Sequence, residues 1–224
     1  MRNILLFDLD QTILNRNESL IRFISWQVNF FQLVPQELKD VFIKKFIELD
    51  DNGNVWKDIV YSQLIKDFNI KKFTVDELLN SYITDFNKFS IGFDDVQKVI
   101  SDLYQKGYKI GLVSNGKSPF QEHNFYALGL TEYFSTIIVS EAIGLRKPDK
   151  KIFAYACNQL NCTPSDCIFI GDNPKADIEG AKNVGMKTIF FHPNKILKKS
   201  NTDESINHYD ELERAINGIN NGGL

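Results

Sequence analysis

The chain has 224 residues, with 26 lysine and arginine residues against 29 aspartate and glutamate residues, and a formal net charge of −3. Hydrophobic residues make up 43% of it and charged residues 25%, which is a globular composition and excludes collagen-like and intrinsically disordered proteins. Without a basic excess, binding to a nucleic-acid polymer is not expected. A chain of this length can form one or two domains around a substantial core.

Cysteine spacing and the length of the apolar segments predict the compartment. Cys157, Cys162 and Cys167 lie five residues apart and form no C-x-x-C pair, so we expect reduced, structural thiols without metal-site spacing. The N-terminal apolar segment is too short for a signal sequence, and no run of 18 apolar residues follows. We therefore expect a cytoplasmic protein with no membrane association.

The first part of the chain predicts one strand followed by a helical region. Residues 4–7 are apolar, and residues 3–7 predict a short buried strand that ends at Asp8. Four helical patterns follow, at about 18–34, 36–50, 54–69 and 74–89. The aromatic side chains of this region are expected to fill its own core and its joint with the rest of the chain. Arg16 and Arg22, near its start, are expected on the surface.

From residue 92 onwards, helical and strand patterns alternate. The predicted helices are 93–106, 118–128, 149–160, 174–184 and about 206–217, and the predicted strands are 109–113, 136–139, 167–170 and 188–191. This alternation, with continuously apolar strands, predicts a parallel sheet covered on both faces. The expected fold is α/β, a Rossmann-like doubly wound parallel sheet with an inserted all-helical cap domain. The core would contain residues 1–14 and 92–224 and the cap 15–91, and the Gly-rich tail from Asn217 to Leu224 is expected to be disordered.

Polar residues follow the predicted strands or lie between them. They are Asp8, Asp10 and Thr12 after the first strand, Ser114 and Asn115 after the second, Lys147 before a helix, and Asp172 and Asp177 after the fourth. Each alone has an ordinary explanation as a turn residue or a helix cap. Because strand ends of one parallel sheet meet at a single crevice, where open α/β sheets bind ligands, we expect these groups to converge there.

The chemistry of such a crevice points to a metal ion and a phosphate. Asp8, Asp10 and Asp172 would bring three negative charges together, which is costly without a cation. Carboxylate oxygens without histidine or cysteine select Mg²⁺ over zinc. Lys147 and the Ser114 hydroxyl would supply the cation and the donor that a phosphate needs. The sequence therefore predicts metal-assisted phosphoryl transfer.

Several motifs together resemble the haloacid dehalogenase-like hydrolase superfamily, in the branch with a helical cap after the first strand. They are Phe7-Asp8-Leu9-Asp10-Gln11-Thr12, Val113-Ser114-Asn115-Gly116, Gly144-Leu145-Arg146-Lys147-Pro148-Asp149 and Ile170-Gly171-Asp172-Asn173 with Asp177. The resemblance covers the sheet domain. Within the superfamily, the sequence is similar to nucleotidase and sugar-phosphate phosphatase members. The helical region shows only a general similarity.

The resemblance implies a role for each motif residue. Asp8 would be the nucleophile, and Asp10 would act first as general acid and then as general base. Mg²⁺ would be held by Asp8, Asp172 and the backbone carbonyl of Asp10, with support from Asp177. The phosphate-binding residues would be Thr12, Ser114, Asn115 (through its backbone N–H) and Lys147, which would also balance the developing charge.

Departures from the family pattern leave alternatives open. Gln11 replaces the common glycine, which moves the expectation away from phosphoglycolate phosphatase and β-phosphoglucomutase types, although a phosphoglucomutase-type phosphotransferase stays possible. Asp10 argues against dehalogenases, and nothing singles out Lys44, Lys45 or Lys57 as a Schiff-base lysine. A non-catalytic phospho-acceptor or an idle scaffold are further alternatives. The expected partner is a small phosphorylated metabolite, a nucleoside monophosphate or sugar phosphate, and the expected assembly a monomer or homodimer.

Overall fold

The chain divides into two compact units. In the computed structural model, residues 3–193 and 201–222 are described. One unit contains Met1–Asn15 with Gly92–Leu224, and the other contains Arg16–Ile91. No helix within the described residues has both the length and the apolar character needed to cross a bilayer.

The described part of the first unit forms a sheet of six parallel strands. These are β1 (Ile4–Phe7), β2 (Lys109–Ser114), β3 (Phe134–Val139), β4 (Cys167–Gly171), β5 (Lys187–Phe191) and β6 (Glu204–Ile206), in the order β3-β2-β1-β4-β5-β6. All residues of β1 and β4 are buried, because helices cover both faces of a parallel sheet. The predicted doubly wound α/β fold is confirmed.

The second unit is helical. Its helices are α1 (Arg16–Phe31), α2 (Lys39–Asp50), α3 (Lys57–Asp67) and α4 (Val75–Asp85). Phe23 and Tyr82 meet edge to face at 5.5 Å between ring centroids, and Phe46 and Tyr61 do so at 5.4 Å. These four rings are buried and form this unit's core as predicted, whereas Phe30 is 65% exposed and departs from the prediction.

The prediction for Arg16 is wrong, whereas Arg22 is exposed as expected. Arg16 is only 7% exposed and pairs with the buried carboxylate of Asp50 at 2.8 Å. Arg22 bonds to Glu18 on the surface. The sequence around the two arginines could not show that only Arg16 is buried, because its partner Asp50 lies 34 residues away at the end of α2.

The sheet unit contains α5 (Val96–Gln105), α6 (Phe120–Tyr126), α7 (Ser140–Ile143), α8 (Lys150–Leu160), α9 (Gly180–Lys182) and α10 (Leu212–Asn221). The predicted helix at 174–184 is instead a π-helical turn, Pro174–Glu179, that continues into the short α9. Since β1, β2 and β4 are parallel neighbours, the loops that follow them lie at one edge of the sheet.

The C-terminal predictions need correction. The expected helix at about 206–217 begins only at Leu212, and Glu204–Ile206 forms strand β6 instead. The segment expected to be disordered is helical as far as Asn221, while residues 223–224 lie outside the described residues. The buried side chains of Leu212, Ile216 and Ile219 recur at helical spacing, and their packing outweighs the weak helix propensity of glycine and asparagine.

Candidate active site

Asp8 stands where β1 ends, and the sheet itself fixes its position. Its backbone N–H donates to the carbonyl of Ile170 on β4 at 2.9 Å, so the ladder continues one residue beyond the strand. The residue is 7% exposed. A carboxylate buried at this point needs a charged or hydrogen-bonding partner.

That partner is Lys147. Its Nζ lies 2.6 Å from Oδ1 of Asp8 and 2.7 Å from Oδ1 of Asp177. Burial would lower the pKa of Lys147, but the carboxylates of Asp177 and Asp8 outweigh burial and raise it. The ammonium group is therefore held in its charged form between two buried acids.

The loop that carries Lys147 is held by Asn115. The side chain of Asn115 accepts a hydrogen bond from the backbone N–H of Lys147 at 2.9 Å and donates one to its carbonyl at 3.0 Å. This paired contact joins the loop after β2 to the segment before α8. Only the side chain of Asn115 takes part in this contact. The backbone N–H of Asn115, which the sequence predicts to bind phosphate, is not used by it.

Two further carboxylates lie close to that of Asp8. Oxygen atoms from Asp8, Asp172 and Asp177 lie within 4.8 Å of one another. Burial raises the pKa of Asp8 to about 7, and the negative charge of Asp177 adds to this rise. The positive charge of Lys147 acts in the opposite direction but does not cancel it. Burial and the charges of Asp8 and Asp177 raise the pKa of Asp172 well above its usual range. Ionising all three acids together therefore requires a further cation beside Lys147.

The donor set fits Mg²⁺. All three side chains offer oxygen, the ligand type that Mg²⁺ prefers. The three carboxylates have oxygen atoms within 4.8 Å of one another, so one small cation could contact all of them. The carboxylate of Asp10 is not part of this cluster.

The Asp10 side chain is instead bonded to a residue that sequence reasoning missed. Gln121, the second residue of α6, is 3% exposed. Its Nε2 donates to Oδ2 of Asp10 at 2.8 Å and to Oγ of Ser114 at 3.0 Å. Gly116 leaves room for this amide, because a Cβ there would lie 2.5 Å from Cγ of Gln121. Gln121 belongs to no motif, so only the fold could reveal its place.

Thr12 and Gln11 lie in the turn after Asp10. Thr12 is fully buried, and its hydroxyl has no hydrogen-bond partner within the described part of the chain. Its carbonyl accepts a bond of 3.0 Å from the hydroxyl of Tyr209. Gln11 has a φ of 58°, a left-handed conformation that glycine adopts at less cost. The geometry thus explains why glycine is common in the family where this chain has Gln11.

Two curated proteins are similar to parts of this chain. Glyceraldehyde 3-phosphate phosphatase of Pyrococcus abyssi is 36% identical over 95 residues, 42% of this chain and 40% of that protein. Pyrimidine 5′-nucleotidase YjjG of Escherichia coli is 39% identical over 85 residues, 38% of each. The chain thus matches 40% and 38% of the lengths of these curated relatives.

A solved structure matches nearly the whole chain. YfnB of Bacillus subtilis, in a crystal form bound to magnesium, is 26% identical, with a TM-score of 0.77 over 96% of this chain and 98% of that one. The family model described as haloacid dehalogenase-like hydrolase matches residues 5–191. That range includes the strand ends that carry Asp8, Ser114 and Asp172. The chain belongs to the haloacid dehalogenase-like hydrolase family.

Proposed function

We propose that this protein is a Mg²⁺-dependent phosphatase that hydrolyses small phosphomonoesters through an aspartyl-phosphate on Asp8. One observation carries the proposal: the Asp8 carboxylate is bound to Lys147 at 2.6 Å and lies beside two further carboxylates at the carboxyl edge of the sheet. The named activities of the relatives support a sugar phosphate or a nucleoside monophosphate as the substrate class.

Asp8 and Asp10 divide the chemistry between them. A carboxylate oxygen of Asp8 attacks phosphorus, and the bond from phosphorus to the leaving oxygen breaks. Asp10 gives that oxygen a proton and then takes one from the water that attacks the aspartyl-phosphate. Release of inorganic phosphate restores the Asp8 carboxylate, so atoms and protons balance over the cycle.

The other residues bind the phosphoryl group and balance its charge. Lys147 offsets the negative charge that develops on the phosphoryl oxygens, and the Ser114 hydroxyl and the backbone N–H of Asn115 donate to them. Thr12, in the same turn as Asp10, completes the proposed set. Asp8, Asp172 and the carbonyl of Asp10 would hold Mg²⁺, with Asp177 beside them, and the ion when bound neutralises phosphate charge.

The test is phosphate release from a panel of phosphomonoesters, measured with Mg²⁺ and with EDTA. The panel includes glyceraldehyde 3-phosphate, other sugar phosphates and pyrimidine nucleoside monophosphates. We expect turnover that requires Mg²⁺ and that Asp8→Asn reduces by about 10⁴-fold or more, as removal of a nucleophile does. Asp94→Asn, at an exposed carboxylate, is the matched control and keeps full activity.

The same experiment separates the alternatives. A regulatory phospho-acceptor would take up phosphate on Asp8 and keep it, with no release of inorganic phosphate. A phosphotransferase would pass the group to a second metabolite instead of water. Full activity in a folded Asp8→Asn variant would exclude the proposed mechanism.

A further inference from the structure

A second cluster of chemically reactive side chains lies outside the carboxylate site. Cys157 in α8, Cys162 in the loop after it and Cys167 at the start of β4 converge, although their spacing in the sequence matches no metal motif. The Sγ atoms of Cys162 and Cys167 are 3.5 Å apart, and those of Cys157 and Cys167 are 3.9 Å apart. All three sulfurs lie within 4.8 Å of one another.

These distances match the edges of a metal–thiolate tetrahedron. With zinc–sulfur bonds of about 2.3 Å, the sulfurs of a tetrahedral site lie about 3.8 Å apart. The two measured distances fall on either side of this value. Cys157 and Cys167 belong to a helix and a strand of the sheet unit, so two of the three positions are held on regular elements before any ligand binds.

The cluster is also open on one side. Cys157 and Cys167 are buried, whereas Cys162 is half-buried. Cys162 contributes to the lining of a shallow depression whose other residues are the polar Asn158, Asn161, Thr163 and Asp166. An ion can therefore reach the sulfurs from solvent, and water can fill a fourth ligand position, as in zinc sites with three protein ligands.

We propose that Cys157, Cys162 and Cys167 form a binding site for one thiophilic metal ion, with Zn²⁺ as the ion that this geometry fits. Thiolate sulfur is the ligand type that Zn²⁺ accepts and Mg²⁺ does not. On binding, three S–H bonds give way to three Zn–S bonds, and three protons pass to water.

The site is separate from the carboxylate cluster. Cys167 is the first residue of β4, and Gly171, which precedes Asp172, is the last. At about 3.3 Å per residue, the two ends of this strand lie about 13 Å apart. A metal ion on the thiols would therefore join α8 to the amino end of β4, at the edge of the sheet opposite to Asp8.

The experiment uses the full chain after complete reduction, with excess Mg²⁺ present to occupy the carboxylate cluster. Zn²⁺ affinity is measured by competition with a chromophoric chelator, and Co²⁺ serves as a spectroscopic probe of sulfur ligation. We expect one ion per chain, release of protons on binding, and a sulfur-to-cobalt charge-transfer band. Zn²⁺ should also raise the melting temperature.

Variants at the exposed side of the cluster test the assignment without disturbing the core. Cys162→Ser should weaken Zn²⁺ binding by more than about 10-fold, the scale produced by loss of an outer partner of a metal ligand, and should reduce the charge-transfer band. Asn158→Ala, in the same depression, keeps the wild-type affinity. Equal Zn²⁺ affinity in wild type and Cys162→Ser, absence of the band, or reoxidation to a Cys162–Cys167 disulfide that Zn²⁺ does not prevent would each overturn the proposal.

Discussion

The side-chain amide of Gln121 donates a hydrogen bond of 2.8 Å to the carboxylate of Asp10, 111 residues away in the chain. The same nitrogen donates to the hydroxyl of Ser114 at 3.0 Å. Because that hydroxyl accepts a bond from Gln121, its own proton is available to an external acceptor. One buried amide thus orients both the proposed acid and a proposed phosphate donor.

Gln121→Ala should lower kcat for alkyl phosphates by about 10-fold to 100-fold, with a smaller change in KM. The carboxylate of Asp10 loses the contact that fixes its direction, and a misplaced catalytic group costs about this much. With p-nitrophenyl phosphate the loss should be smaller, because its weakly basic leaving oxygen needs little protonation. Steady-state kinetics on both substrates provide the measurement.

The matched control is Gln159→Ala, at an exposed glutamine of α8. It should leave both rates unchanged. If Gln121→Ala slowed the two substrates equally, its effect would not come from the orientation of Asp10.

Gly116→Ala should reduce activity through Gln121. A Cβ at this position would lie 2.5 Å from Cγ of Gln121, so the amide must move away from Asp10 and Ser114. In a Gln121→Ala background the clashing atoms are absent, and the additional loss should disappear. A double-mutant cycle measures this coupling, and purely additive effects would contradict the explanation.

Asp172→Asn should stabilise the protein in EDTA while abolishing Mg²⁺-dependent turnover. Burial and the neighbouring acids raise the pKa of Asp172, so its ionised form costs folding free energy at neutral pH, about 1.4 kcal/mol for each unit. We expect the free energy of unfolding in urea to rise by about 1 kcal/mol or more.

With Mg²⁺ this advantage should shrink or reverse, because only the wild type gains the full free energy of ion binding. Asp94→Asn serves again as the exposed control and should change neither value. An Asp172→Asn protein that is less stable than wild type in EDTA would show that the carboxylates do not repel one another.

The strands that consist of continuous apolar residues could be predicted from the sequence of each segment alone. The continuous apolar segments at residues 4–7 and 167–170 form β1 and β4, because a strand buried on both faces needs apolar residues at every position. Strand β6 has three residues, Glu204–Ile206, and exists through its pairing with β5. No local pattern encodes that pairing, and the local pattern of residues 206–217 predicts a helix that would include the last residue of β6.

The residues of the site likewise fall into those that the sequence predicts and those that only the fold reveals. Asp8, Lys147, Asp172 and Asp177 could be expected to converge because each is adjacent to a strand end or a helix start on the one sheet. Gln121 lies inside a helix, and its partners come from the loop after β1 and from the last residue of β2, so only the folded chain brings them together. The three cysteines converge for the same reason, at the opposite edge.

The helical unit contains a buried cluster of charged side chains, and we expect this cluster to contribute to the stability of the unit. Asp50 accepts two bonds from the guanidinium of Arg16, at 2.8 and 2.9 Å, and lies 2.5 Å from Nζ of Lys57. Burial would raise the pKa of Asp50, but the hydrogen bonds and charge of Arg16, with those of Lys57, hold it below its usual range. The carboxylate is therefore ionised at neutral pH.

Asp50→Asn should lower the free energy of unfolding by about 3–5 kcal/mol, because two buried cations lose their counter-ion. Glu18→Gln, which breaks the exposed pair with Arg22, is the matched control and should cost less than about 1 kcal/mol. Urea unfolding at neutral pH compares the two. A small loss for Asp50→Asn would mean that solvent reaches the cluster.

The same cluster predicts a pH dependence. Since the folded pKa of Asp50 is lowered, its stabilisation is complete above the unfolded pKa of about 3.9 and is lost as pH falls through the folded value. Wild-type stability should therefore fall more steeply on the acid side of about pH 5 than that of Asp50→Asn, in which this carboxylate is missing. Urea unfolding at several acidic pH values measures how the free energy of unfolding changes with pH in wild type and in Asp50→Asn. Parallel dependences would show that Asp50 has the same pKa in the folded and the unfolded protein.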